Sequence, residues 1–301
     1  MIHALIMPTF PLPKGRIPHM AIPKRILGST GAEVTALGLG GVCWNLADED
    51  AQAVEVVHHA IDRGITYLDV ASGYKDSERR LGLALKERDR DQLFVATKCI
   101  KRSGDDVKGE IADSFARLEL DVIDLMQLHA IDQEDDLSEV LRGDGALRVI
   151  EEYREAGKIR FVGLTGHTHP EGFVRAMGEY DFDTILNPMG AVNRMWNDFS
   201  KITLPAARSR GMGVVGMKVM AYGQVPADER SSFLRYSMSL PLDVAIVGMD
   251  TVEQVEENVR VAESFVPLSP QEEEELLATA LELVPTVKKE LWWLPEQRLA
   301  S

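Results

Sequence analysis

The sequence predicts an α/β protein, a (β/α)8 TIM barrel preceded by a β-hairpin and followed by extra C-terminal helices. Three observations carry this reading. Eight short apolar runs recur between residues 37 and 247, and helical patterns separate them. Strands spaced by single helices imply right-handed crossovers and a parallel sheet. Several runs end in polar residues, which in a closed barrel would gather at one mouth. Eight such units in about two hundred residues favour a closed barrel over an open sheet.

The elements follow in order. RILGS-TGA-EVTAL (25–37) reads as strand, tight turn, strand, hence a small hairpin. The strand candidates are then 37–42 (LGLGGV), 65–70 (ITYLDV), 93–98 (LFVATK), 122–128 (VIDLMQL), 159–164 (IRFVGL), 183–187 (DTILN), 213–219 (GVVGMKV) and 243–247 (DVAIV). DEDAQAVEVVHHAIDRG is a helical pattern that stops at Gly64, and GALRVIEEYREAGK stops at Gly157. Beyond the eighth run, TVEQVEENVRVAESF is one helix and SPQEEEELLATALELV another. Ser269 caps the latter, with Pro270 in its first turn and Glu272 completing a capping box. Residues 1–24 read as a loose Pro-rich extension without the basic-then-apolar order of a signal peptide. No linker-like stretch divides the rest, so residues 25–301 are expected to form a single barrel domain.

Composition narrows the function classes. The chain is 45% hydrophobic and 27% charged, enough for a sizeable core. Its 48 acidic against 33 basic residues leave a formal charge of −15. Such a chain is a poor partner for nucleic acid or an anionic membrane surface. Any anionic cofactor would need a local positive site. No apolar run reaches membrane-spanning length. The two cysteines, Cys43 and Cys99, offer neither metal spacing nor a disulfide framework, which suits a reducing cytoplasm.

Four polar residues at or just past strand ends are the candidate chemistry. Asp69 lies at the end of ITYLDVAS, with Tyr74 five residues on; Lys98 ends LFVATK and His129 ends IDLMQLH. Singly, each has an ordinary explanation: a helix cap, a packed phenol, a snorkelling lysine, a core histidine. Falling on the second, third and fourth runs in succession, they are poorly explained by four separate coincidences. Together they suit protonation of a carbonyl oxygen while hydride reaches its carbon. A phenol, with an ordinary pKa of about 10, is a reluctant donor at neutral pH. Lys98 is expected to lower that value, Asp69 to hold Lys98, and His129 to orient the carbonyl oxygen.

On these residues the chain resembles an aldo-keto reductase. The matching stretches are LGLGG (37–41), GITYLDVASGY (64–74), ERRLGLAL (78–85), VATK (95–98), DVIDLMQLH (121–129), GKIRFVGLTGH (157–167) and EQVEEN (253–258). The resemblance implies a barrel enzyme that reduces a small-molecule aldehyde or ketone with NADP(H) or NAD(H) and generally needs no metal. It makes Asp69, Tyr74, Lys98 and His129 the catalytic tetrad and places Gly41 among the cofactor contacts.

The resemblance also marks departures. The family's Ser-Asn pair, which holds the nicotinamide carboxamide, is here Thr165-Gly166, with His167 as a candidate substitute for the lost amide. Asn187 stands where the family often has Gln. Met217 replaces a stacking tyrosine, Lys218 replaces a serine, and Tyr222 is a second stacking candidate. The short loop after the seventh run predicts an open cleft. The Lys-Ser and Arg that face the 2′-phosphate in NADPH-preferring members become Gly248-Met249 and Gln254, and Asp250 adds negative charge. The adenine pair, Glu257-Asn258, is intact, and Arg260 is the nearest later cation. Selectivity for NADPH is therefore expected to be weak. Trp44 and Trp196 are candidate substrate contacts, with Trp292 and Trp293 as further ones. Two other readings stay open: a cofactor-sensing regulatory subunit, separable by testing turnover, and a metal-dependent hydrolase using His129, His167, His169 and Asp69, separable by metal analysis. Oligomeric state is not legible.

Overall fold

The computed structural model describes residues 21–46, 49–132 and 134–290. Most of the N-terminal extension, and the Trp292-Trp293 pair, lie outside the described residues. Strands β1 (Lys24–Ile26) and β2 (Glu33–Thr35) pair antiparallel as the expected hairpin. Eight strands follow: β3 (Leu37–Gly40), β4 (Tyr67–Asp69), β5 (Phe94–Cys99), β6 (Ile123–Leu128), β7 (Ile159–Thr165), β8 (Thr184–Pro188), β9 (Gly213–Met217) and β10 (Val244–Gly248). They close into one parallel barrel in the order β10-β3-β4-β5-β6-β7-β8-β9. Each matches one of the apolar runs. Nearly every residue of these strands is buried, which is why they read as continuous rather than alternating runs.

The helices are α1 (Asp50–Asp62), α2 (Ser77–Leu85), α3 (Gly104–Leu118), α4 (Glu134–Val140), α5 (Ala146–Glu155), α6 (Pro170–Glu179), α7 (Phe199–Ser209), α8 (Arg230–Ser239), α9 (Val252–Glu263) and α10 (Pro270–Glu290). Gly64 and Gly157, just past α1 and α5, have φ of +91° and +69°, a left-handed backbone open to glycine at little cost. The capping box of α10 forms: Ser269 Oγ accepts the Glu272 N–H at 3.3 Å, and Glu272 accepts the Ser269 N–H at 2.8 Å.

Two boundaries differ from the sequence reading. The fold begins before residue 25, because Ile22 is buried in the core and the Pro23 carbonyl accepts the Ala36 N–H at 2.8 Å. The seventh barrel strand stops at Met217, because Lys218 turns to φ +60° and leaves the sheet.

The hairpin closes the N-terminal end of the barrel. Leu27 and Val34 pack with Tyr67, Phe94, Leu125 and Val244 from the barrel interior. Arg25 ties it down by donating to the carbonyls of Leu242 at 2.6 Å and Met238 at 3.0 Å. The hairpin leaves the opposite mouth, where the strands end, without this plug. Among the described residues no helix is long and apolar enough to cross a membrane.

Candidate active site

Asp69 ends β4, and Lys98 lies one residue from the end of β5. Parallel register sets Asp69 opposite Ala96, and Lys98 opposite Gln127 of β6, so all three polar side chains point into the barrel. Lys98, 1% exposed, donates to the Asp69 carboxylate and to the Val70 carbonyl at 2.8 Å. Gln127 Nε2 donates to the other Asp69 oxygen at 3.1 Å. The Lys98 ammonium lies 4.9 Å from the centre of the Tyr74 ring. His129, at the end of β6, meets the same ring edge to face, with centroids 5.6 Å apart and planes at 80°. The four residues of the tetrad are thus brought together at the C-terminal mouth. Gln127 was not anticipated. Its signal was the two-residue spacing from His129, which puts both on one face of a strand.

Electrostatics distinguish the four. Burial disfavours the Lys98 charge, yet Asp69 and Tyr74 raise its pKa above the ordinary value, so it remains an ammonium. Burial raises the Asp69 pKa while Lys98 and Gln127 oppose the shift. Burial also raises the Tyr74 phenol, and the attraction of Lys98 does not reverse it. The expected lowering of Tyr74 is therefore corrected: Lys98 pulls downward, but desolvation outweighs it. His129 is held well below its usual range by burial, then by Lys98, His167 and Lys218, so it is a neutral imidazole at pH 7.

A cleft of about 730 Å³ runs from Asp69 and Tyr74 past Gly41, Met217, Lys218 and Tyr222 to Gly248, Gln254, Glu257 and Asn258. Most predicted cofactor residues therefore line one continuous space, ordinary in volume for a small-molecule site. Lys218 sits 4.9 Å from the Tyr222 ring centre, and burial followed by Lys98 brings its pKa down to about 8. Gly41 is held by its N–H to the Asp69 carbonyl at 2.8 Å. A side chain there would meet the Trp44 ring and the Ser77 hydroxyl at 2.7 Å.

Thr165 and Asn187 end or nearly end β7 and β8. Asn187 Nδ2 donates to the Gly166 carbonyl at 3.1 Å. Thr165 Oγ1 and Asn187 Oδ1 are buried and find no partner among the described residues. A hydroxyl and an amide oxygen left over in this way suit a carboxamide, which both donates and accepts. Gly166 has a separate reason: a Cβ would lie 2.6 Å from Phe173 and 2.9 Å from the Asp132 carboxylate. That close approach lets Asp132 accept the backbone N–H groups of His167 and Thr168; burial pushes its pKa up, but the His167 side chain first, and these N–H groups after it, bring it down to about 2. Asp132 also takes His167 Nδ1 at 3.1 Å. The side chain expected to replace the family's amide is therefore engaged by Asp132, a residue the sequence reading missed.

One further expectation is corrected. Trp44 is 1% exposed and its Nε1 donates to the Met249 carbonyl at 3.1 Å, so it supports the wall and does not present itself to substrate. Trp196 packs against the buried cluster that includes Ala191, Leu276 and Ala280, with the Lys288 ammonium of α10 over its ring. His169 begins α6 in a left-handed conformation and faces a smaller cavity of about 240 Å³ with Glu171 and Arg175. Among the described residues, no three His, Cys, Asp or Glu side chains are grouped to hold a metal.

The comparisons give this geometry its class. A family model, the Aldo/keto reductase family, matches residues 36–233, and the chain belongs to that family of NAD(P)H-dependent oxidoreductases. L-galactose dehydrogenase of Arabidopsis thaliana is 27% identical over 317 residues, covering 90% of this chain and 97% of that protein. The 6-dehydroglucose reductase of Novosphingobium aromaticivorans is 34% identical, over 48% of this chain and 51% of that protein. Among solved structures, an aldo-keto reductase from Bacillus halodurans in its holo form superposes with a TM-score of 0.72 at 24% identity, covering 87% of this chain and 96% of that one. One from Klebsiella pneumoniae in complex with NADPH gives 0.70 at 20% identity, covering 85% and 95%.

Proposed function

We propose that this protein reduces an aldehyde or ketone to an alcohol, with Tyr74 donating the proton to the carbonyl oxygen. The observation that carries the proposal is the buried Lys98 ammonium, paired with Asp69, lying against the same phenol that His129 touches. A bound nicotinamide dinucleotide supplies the hydride to the carbonyl carbon. Thr165 and Asn187 are suited to hold its carboxamide, Lys218 a phosphate, and Glu257 and Asn258 the adenosine.

The chain's own residues do the rest. Burial keeps the Tyr74 phenol protonated, which a donor requires. As the proton leaves, Lys98 stabilises the phenolate it faces, and Asp69 with Gln127 keeps Lys98 in place. His129, neutral, donates one N–H to the carbonyl oxygen and orients it without competing as an acid. In the reverse direction the phenolate accepts the alcohol proton.

Both named relatives act on sugars, so sugar aldehydes and sugar alcohols head the substrate panel. Turnover is followed at the nicotinamide absorbance with either cofactor. Tyr74→Phe should lower kcat by about 10²–10⁴-fold, the usual contribution of a positioned acid, while dinucleotide affinity stays within threefold. A Tyr74→Phe protein with near-normal turnover of an unactivated ketone would show that the acid is another group.

A further inference from the structure

The backbone just past His129 is left-handed, and an arginine from the neighbouring strand's loop grips it. Ala130 has φ of +54°, a region that a non-glycine residue enters only at a cost. Such a conformation persists where its surroundings over-determine it, and it concentrates at functional sites. The flanking backbone is committed on both sides. The His129 N–H donates to the Cys99 carbonyl of β5 at 2.9 Å, and the Ile131 N–H to the Thr165 carbonyl of β7 at 2.9 Å. Between these anchors the His129 and Ala130 carbonyls turn to one guanidinium. Arg102, in the loop after β5, donates through Nη1 to the His129 carbonyl and through Nη2 to the Ala130 carbonyl, both at 2.8 Å. Nη1 also donates to the Ile100 carbonyl at 3.0 Å, and Nε to the Asp136 carboxylate of α4 at 3.2 Å.

A planar fork with donors at fixed angles can serve two successive carbonyls, which a single ammonium cannot do with the same geometry. The Arg102 side chain is only 14% exposed, so these bonds are largely shielded from water. They join the loop after β5, the end of β6 and the start of α4. At their centre is the backbone of the residue that, beside Tyr74, is to meet the carbonyl oxygen. We propose that Arg102 is a positioning residue: by fixing the left-handed turn at Ala130 it sets the His129 imidazole against Tyr74 and aims its N–H at the substrate oxygen. The inference rests on reading the tetrad as a site of carbonyl reduction.

The test joins a spectrum to a rate, on the full chain labelled with ¹³C-histidine. The His129 ring signal is assigned by its loss in His129→Asn, and the nearby Tyr74 ring current makes it a gauge of how the two rings meet. In Arg102→Met that signal should shift, while those of His58 and His59 on α1 stay in place and report a folded barrel. Carbonyl reduction should fall about 10²-fold in kcat/KM, the scale of a slightly misplaced group, with dinucleotide affinity unchanged by calorimetry. In a His129→Asn background the same substitution should cost nothing further, because a residue that acts through another falls silent once that one is gone. Arg102→Lys should show the same pattern at smaller size, and it decides the matter if the Met variant does not fold. An unmoved His129 signal, or an equal loss of rate with and without His129, would overturn the role of Arg102. Failure of the wild-type protein to turn over any carbonyl would overturn the reductase reading instead, and the His129 signal would still judge the positioning.

Discussion

Replacing Lys98 with Met keeps most of the aliphatic stem and removes only the ammonium. Three contacts go at once: the bond to Asp69, the bond to the Val70 carbonyl at 2.8 Å, and the charge 4.9 Å from the Tyr74 ring centre. Removing one partner of a buried ion pair typically costs about 3–5 kcal/mol, because the other charge is left uncompensated. Asp69 has a partial escape. Burial already raises its pKa, and without the opposing pull of Lys98 it rises further, so the carboxyl takes up a proton on folding. The sign follows from linkage. A carboxyl with a raised folded-state pKa contributes most below its unfolded value, and the contribution is lost as pH climbs through the folded value. The Lys98→Met deficit should therefore be smallest in acid and grow as pH rises above the ordinary carboxylate range. Urea unfolding of both proteins at several pH values reads this directly. Carbonyl reduction should fall about 10²–10⁴-fold, as for loss of an acid–base group. A variant with wild-type stability at every pH and unchanged kcat would refute the pairing argument.

Other outcomes follow from single contacts. Trp44→Phe should cost about 1–3 kcal/mol in chemical denaturation, since the Met249 carbonyl loses its donor, while KM for the carbonyl substrate stays unchanged. A selective rise in KM would return Trp44 to a substrate role. Gly166→Ala should destabilise by about 1–3 kcal/mol, because its Cβ meets Phe173 at 2.6 Å and the Asp132 carboxylate at 2.9 Å. A neutral result in thermal unfolding would mean that the Asp132 loop yields easily.

The barrel was legible because its strands are buried on both faces, so apolar runs such as LFVATK stand out against amphipathic helices. Asp69, Lys98 and His129 were conspicuous for the same reason, each a polar residue at or just past the end of an apolar run, and they are found grouped around Tyr74. What escaped depended on tertiary placement. Gln127 sits inside a run, two residues before the conspicuous His129, and Asp132 sits in a loop whose partner lies 35 residues away. Trp44 looked available because sequence shows its aromatic ring but not the Met249 carbonyl that holds it. The sign of the Tyr74 shift was misjudged because the nearby charge can be guessed from sequence, whereas the degree of desolvation cannot. Ile22 was assigned to a loose extension because the short stretch HMAI between Pro18 and Pro23 shows no periodicity that marks it as buried.

The central claim is that a hydride passes from the cofactor to a carbonyl carbon at this mouth while Tyr74 protonates the oxygen. Its most direct test is isotopic. The protein is supplied with a reduced nicotinamide cofactor deuterated at the transferring carbon and with an aldehyde it turns over, and the alcohol is analysed by NMR. One deuterium on the carbinol carbon is the predicted result, with Tyr74→Phe forming the same labelled alcohol about 10²–10⁴-fold more slowly. An unlabelled alcohol, or equal labelling by the variant at an undiminished rate, would contradict the account.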